Sequence, residues 1–230
     1  MKKAIALLLA LVTLLSLTAC AGKEDAASSA LDQIKQKGEL VVGTSADYPP
    51  YEFHAEVDGK DTIVGFDMEI AQAIADKLKR ENNLEYDPSQ ITVGAGAKHA
   101  CFNAIMATVS EGDEVIIPSP YWVSYPEMVR MCGGIPVIVE TTPENGWKLT
   151  AEQFEEAMTP RTKMVILTTP NNPTGAVYSE EELRALGEVA LSEDILILAD
   201  EIYEHLVYGD TRHVSIASLS PELYLSLIHI

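Results

Sequence analysis

Polar side chains follow several apolar segments of this chain, at points where a strand would end. A glycine-rich turn at residues 94–98 comes before a helical pattern. Trp122, Asn172 and Asp200 each follow a separate apolar run, and Tyr203 stands three residues after Asp200. Because parallel α/β sheets bind ligands beyond the carboxyl ends of their strands, we expect these residues to lie close together. A glycine turn at a helix N-terminus attracts an anion such as phosphate, and an indole can stack on a flat ring.

The elements that position these residues alternate between strands and helices. The apolar patterns predict strands at residues 91–93, 114–117, 136–140, 163–168 and 195–199. Helical patterns cover residues 97–109, 122–131, 150–158 and 179–191, the last opened by a capping box of Ser179 and Glu182. Nearly continuous apolar strands between amphipathic helices predict an α/β fold with a mostly parallel sheet covered by helices on both faces.

Three strings in this order and spacing resemble class I, pyridoxal-phosphate-dependent aminotransferases of the aspartate aminotransferase type. They are residues 118–126 (PSPYWVSYP), 171–175 (NNPTG) and 199–204 (ADEIYE). The resemblance extends over residues 80–224 and implies an incomplete large domain of the type I pyridoxal-phosphate fold. It also implies an amino acid and a 2-oxo acid as substrates, and a homodimer with sites at the subunit interface.

The resemblance assigns roles around the pyridine ring of the cofactor. Asp200 would pair with the ring nitrogen and keep it protonated, which makes the ring an electron sink. Asn172 and Tyr203 would hydrogen-bond to the phenolate oxygen of the ring. The residues alone leave alternatives open, since Asp200 could cap a helix and Tyr203 could belong to the core.

The resemblance also assigns residues to the ring face and to the phosphate. Trp122 would stack on the ring, although an indole in the core is the alternative. Gly96, Ala97 and Lys98 would present backbone N–H groups to the phosphate.

The family pattern is interrupted after residue 224. The Schiff-base lysine of the family lies in a Ser-Lys loop beyond the strand that should follow, and Lys98 and Lys163 stand in other motifs. No catalytic residue is therefore assigned, and we expect the chain to be an inactive fragment of an aminotransferase. Residues 225–230 do not continue the pattern and are predicted to be an unrelated tail, so the next strand of the sheet is expected to be missing.

The first thirty residues have the anatomy of an export signal. A basic start and an apolar run at residues 4–17 lead to Leu17-Thr18-Ala19-Cys20. This ending resembles the bacterial lipobox, in which the cysteine is lipidated, so residues 1–20 are predicted to be a lipoprotein signal peptide and residues 21–30 a linker. The alternative is a plain signal peptide with an incidental cysteine. If the signal is used, a lipid anchor holds the protein outside the cytoplasm, whereas aminotransferases are normally cytoplasmic.

Residues 31–79 resemble the extracellular amino-acid-binding proteins of uptake transporters, the family 3 solute-binding proteins. The strings are residues 38–44 (GELVVGT), 48–53 (YPPYEF) and 65–75 (GFDMEIAQAIA). The resemblance implies a fragment of a periplasmic-binding-protein-like α/β lobe. Asp47, Tyr51 and Phe53 would then lie near a ligand cleft, although both aromatic rings could be core. The chain is thus either an aminotransferase fragment, an amino-acid-binding lipoprotein, or a chimera of the two.

Charge and cysteine usage exclude several classes of function. The net charge is −19, from 35 acidic and 16 basic residues, which argues against nucleic acid and against anionic membrane surfaces as partners. Cys101 and Cys132 have no metal-ligand spacing and read as ordinary buried thiols. No metal is predicted, and membrane association is expected only through the lipid anchor.

The lipobox generates a prediction for Cys20. In a bacterial host, radiolabelled palmitate should enter the wild-type chain and not Cys20→Ser, because acylation requires the thiol. Cys132→Ser is the matched control and should be labelled like the wild type. Equal labelling of the Cys20→Ser variant would contradict the lipoprotein assignment.

Overall fold

The computed structural model describes residues 47–230. The helices of this part are α1 Phe66–Asn82, α2 Ala97–Thr108, α3 Tyr125–Met131, α4 Ala151–Ala157, α5 Glu180–Ser192 and α6 Pro221–Leu225. The strands are β1 Asp47–Tyr48, β2 Glu52–Val57, β3 Lys60–Val64, β4 Glu114–Ser119, β5 Ile135–Glu140, β6 Thr162–Thr168, β7 Leu196–Asp200 and β8 Leu227–His229.

The predicted α/β fold with a mostly parallel, helix-covered sheet is confirmed. Five strands lie in the order β5-β4-β6-β7-β8, and every neighbouring pair is parallel. All residues of β7 are buried, as are six of the seven residues of β6, which fits their apolar sequences. Since the strands are parallel, the carboxyl ends of β4, β6 and β7 meet at one edge of the sheet.

The sequence of helix α5 determines where the helix begins and which of its faces packs against the parallel sheet. Ser179 accepts a hydrogen bond from the backbone N–H of Glu182 and Glu182 returns one, which is the predicted capping box. Leu183, Leu186 and Val189 then recur at helical spacing and are buried in one cluster with the apolar side chains of β6 and β7.

Two parts of the N-terminal half differ from the sequence prediction. Residues 91–93 form no strand, because they lie between a short 3-10 turn and the glycine turn and pair with no neighbour in the described sheets. The small antiparallel sheet β1-β2-β3 was not predicted. Its hairpin turns at Asp58-Gly59, where both residues have positive φ, the geometry that an Asp-Gly pair favours.

Residues 225–230, predicted to be an unrelated tail, take part in the parallel sheet. Strand β8 pairs with β7, and the Ile230 N–H donates to the carbonyl of Ala199 at 2.9 Å. His229 lies 3.1 Å from the buried carboxylate of Glu201. The apolar residues Leu227 and Ile228 suit a strand, so these residues occupy the position of the strand that we expected to be missing.

Helix α1 is tied to the segment after β7 through Glu204. This carboxylate accepts from Lys77 Nζ at 3.1 Å and from Asn82 Nδ2 at 2.8 Å. Burial opposes ionisation, but the hydrogen bonds from Asn82 and Lys77 keep the pKa of Glu204 below its usual value. Helix α1, which spans the predicted boundary near residue 80, therefore packs with the aminotransferase-like part.

Glu204 should matter for stability because its removal leaves Asn82 Nδ2 without its acceptor and takes one of two carboxylate partners from Lys77. Glu204→Ala is expected to lower the free energy of unfolding by about 1–2 kcal/mol. Glu188→Ala, on the exposed face of α5, is the control and should change it little. Urea unfolding followed by circular dichroism measures both, and equal stability of the two variants would contradict this role.

Candidate functional site

The site is built around Asp200, the last residue of β7. Its side chain is buried, with 4% of the residue exposed, at the edge where the strands end. A buried carboxylate needs hydrogen-bond donors, because the loss of water is otherwise costly. Two side chains supply them.

Tyr125, the first residue of α3, is the main donor to Asp200. Its Oη donates to Asp200 Oδ2 at 2.5 Å and lies 2.9 Å from Thr168 Oγ1 at the end of β6. Burial, followed by the negative charge of Asp200, raises the pKa of the Tyr125 phenol far above its usual value. The phenol therefore stays protonated and remains a donor at physiological pH.

Cys101 on helix α2 is the second donor to Asp200. The thiol is fully buried, and its Sγ lies 3.7 Å from Asp200 Oδ2. Burial, with a further contribution from the charge of Asp200, raises the pKa of Cys101 to about 12. The group is thus a neutral thiol, which can donate weakly to the carboxylate.

Trp122 lies in the loop after β4, beside this network. Its ring packs edge-on against Tyr125 with the centroids 5.3 Å apart. Lys98 Nζ lies 5.0 Å from the centre of the Trp122 ring, a cation–π distance. Contacts therefore run from Lys98 through Trp122 and Tyr125 to Asp200. Through Tyr125, the structure brings together the sequence-predicted residues Lys98, Trp122 and Asp200.

Gly96 and Ala97 lie at the N-terminus of α2, as predicted. Gly96 has φ of 88°, which favours glycine, and a Cβ added to it would meet no atom within 4 Å. Ala97 is the first residue of the helix. The backbone N–H groups of a helix N-terminus attract anions, and open space here leaves room for one.

Asn172 and Tyr203 also lie together, in the loops that follow β6 and β7. Asn172 Nδ2 donates to Tyr203 Oη at 3.4 Å, and both side chains are half-buried. The backbone N–H of Thr169 donates to the carbonyl of Asp200, which joins the ends of the two strands. The pair can present an amide and a phenol to one oxygen of a ligand.

Asp47, Tyr51 and Phe53 lie on the small antiparallel sheet and not on the parallel one. Asp47 of β1 is paired with Phe53 of β2, and Tyr51 stands in the turn between them. The carbonyl of Tyr51 accepts from the N–H of Asp67, and a Cβ on Gly65 would lie 2.3 Å from that carbonyl oxygen. The ligand role predicted for these three residues stays a prediction. Cys20 lies outside the described residues.

Within residues 47–230, one group has the composition of a metal site: Glu81, Glu204 and His205. Lys77 Nζ already lies 3.0 Å from Glu81 and 3.1 Å from Glu204. The Lys77 ammonium and the Arg80 guanidinium, 3.0 Å from Glu81, offset the charges of the two carboxylates, so the group is better described as an ion-pair cluster.

Sequence reasoning missed the two side-chain donors to Asp200, Tyr125 and Cys101, and the Thr168 hydroxyl beside Tyr125. Tyr125 was part of the string at 118–126 without a role, Thr168 stood at the end of a predicted strand, and Cys101 was read as an ordinary thiol. The helical pattern that was predicted to begin at residue 122 begins at Tyr125 instead. The only signal in the sequence was the Tyr125 hydroxyl at a position that the pattern buries, since buried phenols need a partner.

The donor set suits a flat ring that carries a phosphate and a basic nitrogen. The buried Asp200 carboxylate suits the nitrogen, the Asn172–Tyr203 pair suits a ring oxygen, and the open helix end at Gly96 suits the phosphate. These are features of pyridoxal phosphate, so the residues of this structure fit the cofactor that the resemblance implies.

The chain belongs to the family of class I and II aminotransferases, which it matches over residues 62–229. It is similar to the aspartate aminotransferase of Geobacillus stearothermophilus, at 54% identity over 67% of this chain and 39% of the relative. The aspartate aminotransferase of Bacillus subtilis is 48% identical over 83% of this chain and 51% of the relative. The chain thus spans about half the length, or less, of these curated relatives.

Comparison with solved structures also places the chain among the aminotransferases. The aspartate aminotransferase of Thermus thermophilus with maleate aligns with a TM-score of 0.67 at 46% identity, over 72% of this chain and 42% of that one. The aspartate aminotransferase of Rhizobium meliloti aligns with a TM-score of 0.68 at 35% identity, over 86% of this chain and 55% of that one. Aminotransferases of this family are pyridoxal-phosphate-dependent, which agrees with the predicted cofactor.

The family match begins within the segment that was predicted to come from a binding protein. Its first residue is 62, whereas the predicted boundary lies near residue 80. The origin of residues 31–79 and the boundaries of the segments remain predictions. In the part of the chain that the structure describes, no helix is long and apolar enough to cross a membrane.

The Tyr125 network predicts a large effect from the loss of one oxygen atom. Tyr125→Phe removes the donor from buried Asp200 and should lower the free energy of unfolding by about 1–3 kcal/mol. Tyr208→Phe is the matched control, because Tyr208 is 82% exposed. Thermal melting should show a lower Tm for Tyr125→Phe alone, and unchanged Tm would show that the bond to Asp200 contributes nothing.

Proposed function

We propose that this chain supplies the cofactor-binding half of a pyridoxal-phosphate-dependent aminotransferase, which moves an amino group from an amino acid to a 2-oxo acid. Aspartate is the amino acid in the names of the similar proteins. The observation that carries the proposal is the buried carboxylate of Asp200, held by Tyr125 at the strand edge where the other predicted cofactor residues gather.

Each residue has one task toward the cofactor. Asp200 pairs with the ring nitrogen and holds a proton there, because an ionised carboxylate beside the nitrogen stabilises its cationic form. Asn172 and Tyr203 bind the ring oxygen, and Trp122 covers one face of the ring. When bound, the cofactor supplies an electron sink for the carbon that loses its proton.

Gly96, Ala97 and Lys98 hold the phosphate through the backbone N–H groups at the start of α2. The helix dipole favours negative charge at this end by about 0.3–1 kcal/mol. The phosphate and the ring nitrogen are then fixed by two different elements, α2 and β7.

None of the lysines in these 230 residues stands in the family's Ser-Lys context. The contacts that these residues offer to the cofactor are therefore noncovalent, and we expect these 230 residues alone not to transaminate. We also propose a homodimer, as the family implies. Exposed apolar side chains in the loops after β4 and β7, namely Val123 and Ile202, support a partner at this edge.

The N-terminal assignment is a separate proposal. Residues 1–79 carry the lipoprotein signal and the binding-protein-like strings, and a join of two genes accounts for two families in one chain. Export would carry the site away from its cytoplasmic cofactor, so the two parts do not suit one function.

The function is tested by binding of pyridoxamine 5′-phosphate. This amine form of the cofactor has no aldehyde and cannot bond to surface lysines, so its affinity reports the pocket alone. Asp200→Asn should weaken binding by about 10-fold or more, as expected when a charged hydrogen bond is lost. Asp210→Asn, on an exposed loop, is the control.

Isothermal titration measures the three affinities, and inorganic phosphate should compete with the ligand. The proposal is wrong if the wild-type chain does not bind, or if Asp200→Asn binds as tightly as the wild type.

A further inference from the structure

The two oxygens of Asp200 have different surroundings. Oδ2 accepts from Tyr125 Oη at 2.5 Å and from Cys101 Sγ at 3.7 Å. Oδ1 accepts a long hydrogen bond of 3.4 Å from the N–H of Ile202. Donors reach both oxygens and hold the orientation of the carboxylate, while Oδ1, with one long bond, keeps capacity for another donor.

Cys101 belongs to the helix whose first turn is the proposed phosphate site. It stands four residues after Ala97, and residues i and i+4 of a helix lie on the same face. One turn advances by about 5.4 Å. The thiol therefore connects α2 to the end of β7, and these are the two elements that would hold opposite ends of one ligand.

We infer that Cys101 is a positioning residue for the cofactor: its thiol links Asp200 to helix α2 and leaves Oδ1 to face the ring nitrogen. This inference rests on the proposed function, since the ring nitrogen is that of the bound cofactor. The spacing between phosphate and nitrogen is set by the ligand's own bonds, so the spacing between α2 and Asp200 must match it. A thiol that bonds across the two elements keeps that spacing constant.

The chemistry of the thiol suits this role. Burial holds Cys101 in the neutral form, with a pKa of about 12, so it donates to the carboxylate and does not repel it. Cys132, the other described cysteine, is only half-buried, and its thiol bonds to no carboxylate among residues 47–230. The two cysteines therefore form a matched pair for substitution.

The test uses Cys101→Val, which keeps an apolar side chain of similar size and removes the donor, and Cys132→Val as its control. The full chain is titrated with pyridoxamine 5′-phosphate that carries ¹⁵N in the ring. We expect Cys101→Val to bind about 3- to 10-fold more weakly, as for one weak bond to a charged group. The ring ¹⁵N chemical shift should also move toward that of the unprotonated ring, while Cys132→Val matches the wild type in both.

A purely structural role for Cys101 would lower the Tm and leave the ¹⁵N shift of the bound ring unchanged. That result, or wild-type affinity in Cys101→Val, overturns the inference and leaves the proposed function intact. Failure of the wild-type chain to bind, or indifference to Asp200→Asn, overturns the proposed function and the inference with it.

Discussion

The charge of Asp200, buried at the end of strand β7 between β6 and β8, is the constraint on which the site depends. A carboxylate in this position must be surrounded by donors, because an unpaired buried charge is costly. Tyr125 meets this need directly, and Thr168 holds the Tyr125 hydroxyl in turn. Helix α3 begins at Tyr125, and this start places the Tyr125 hydroxyl against Thr168 at the end of β6 and Asp200 at the end of β7.

Much of the fold could be predicted because its strands are short apolar runs. The segments at 163–168 and 195–199 became β6 and β7 almost residue for residue, and the Ser179 capping box opened α5 as expected. Residues 91–93 are apolar as well, but no strand within residues 47–230 pairs with them. A local sequence pattern does not specify which strand will pair with a segment. That pairing depends on the tertiary structure.

The site was predictable to the extent that it lies in contiguous strings. Asn172, Asp200 and Tyr203 stand in such strings, and the structure brings Asn172 to Tyr203. Cys101 comes from another element, 99 positions away from Asp200 along the chain. Only the packing of α2 on β7 makes Cys101 and Asp200 neighbours. A residue that acts through another in this way leaves no signature in the local sequence.

The position of Trp122 gives the protein a natural optical reporter. The chain has two tryptophans, and the second, Trp147, is 39% exposed in a turn before α4. Indole emission depends on what lies against the ring, and Trp122 lies between Lys98 and Tyr125 at the edge where a ligand would enter. A chain in which Trp147 is replaced by phenylalanine would carry a single fluorophore, whose colour and intensity follow the occupancy of this edge without any attached dye.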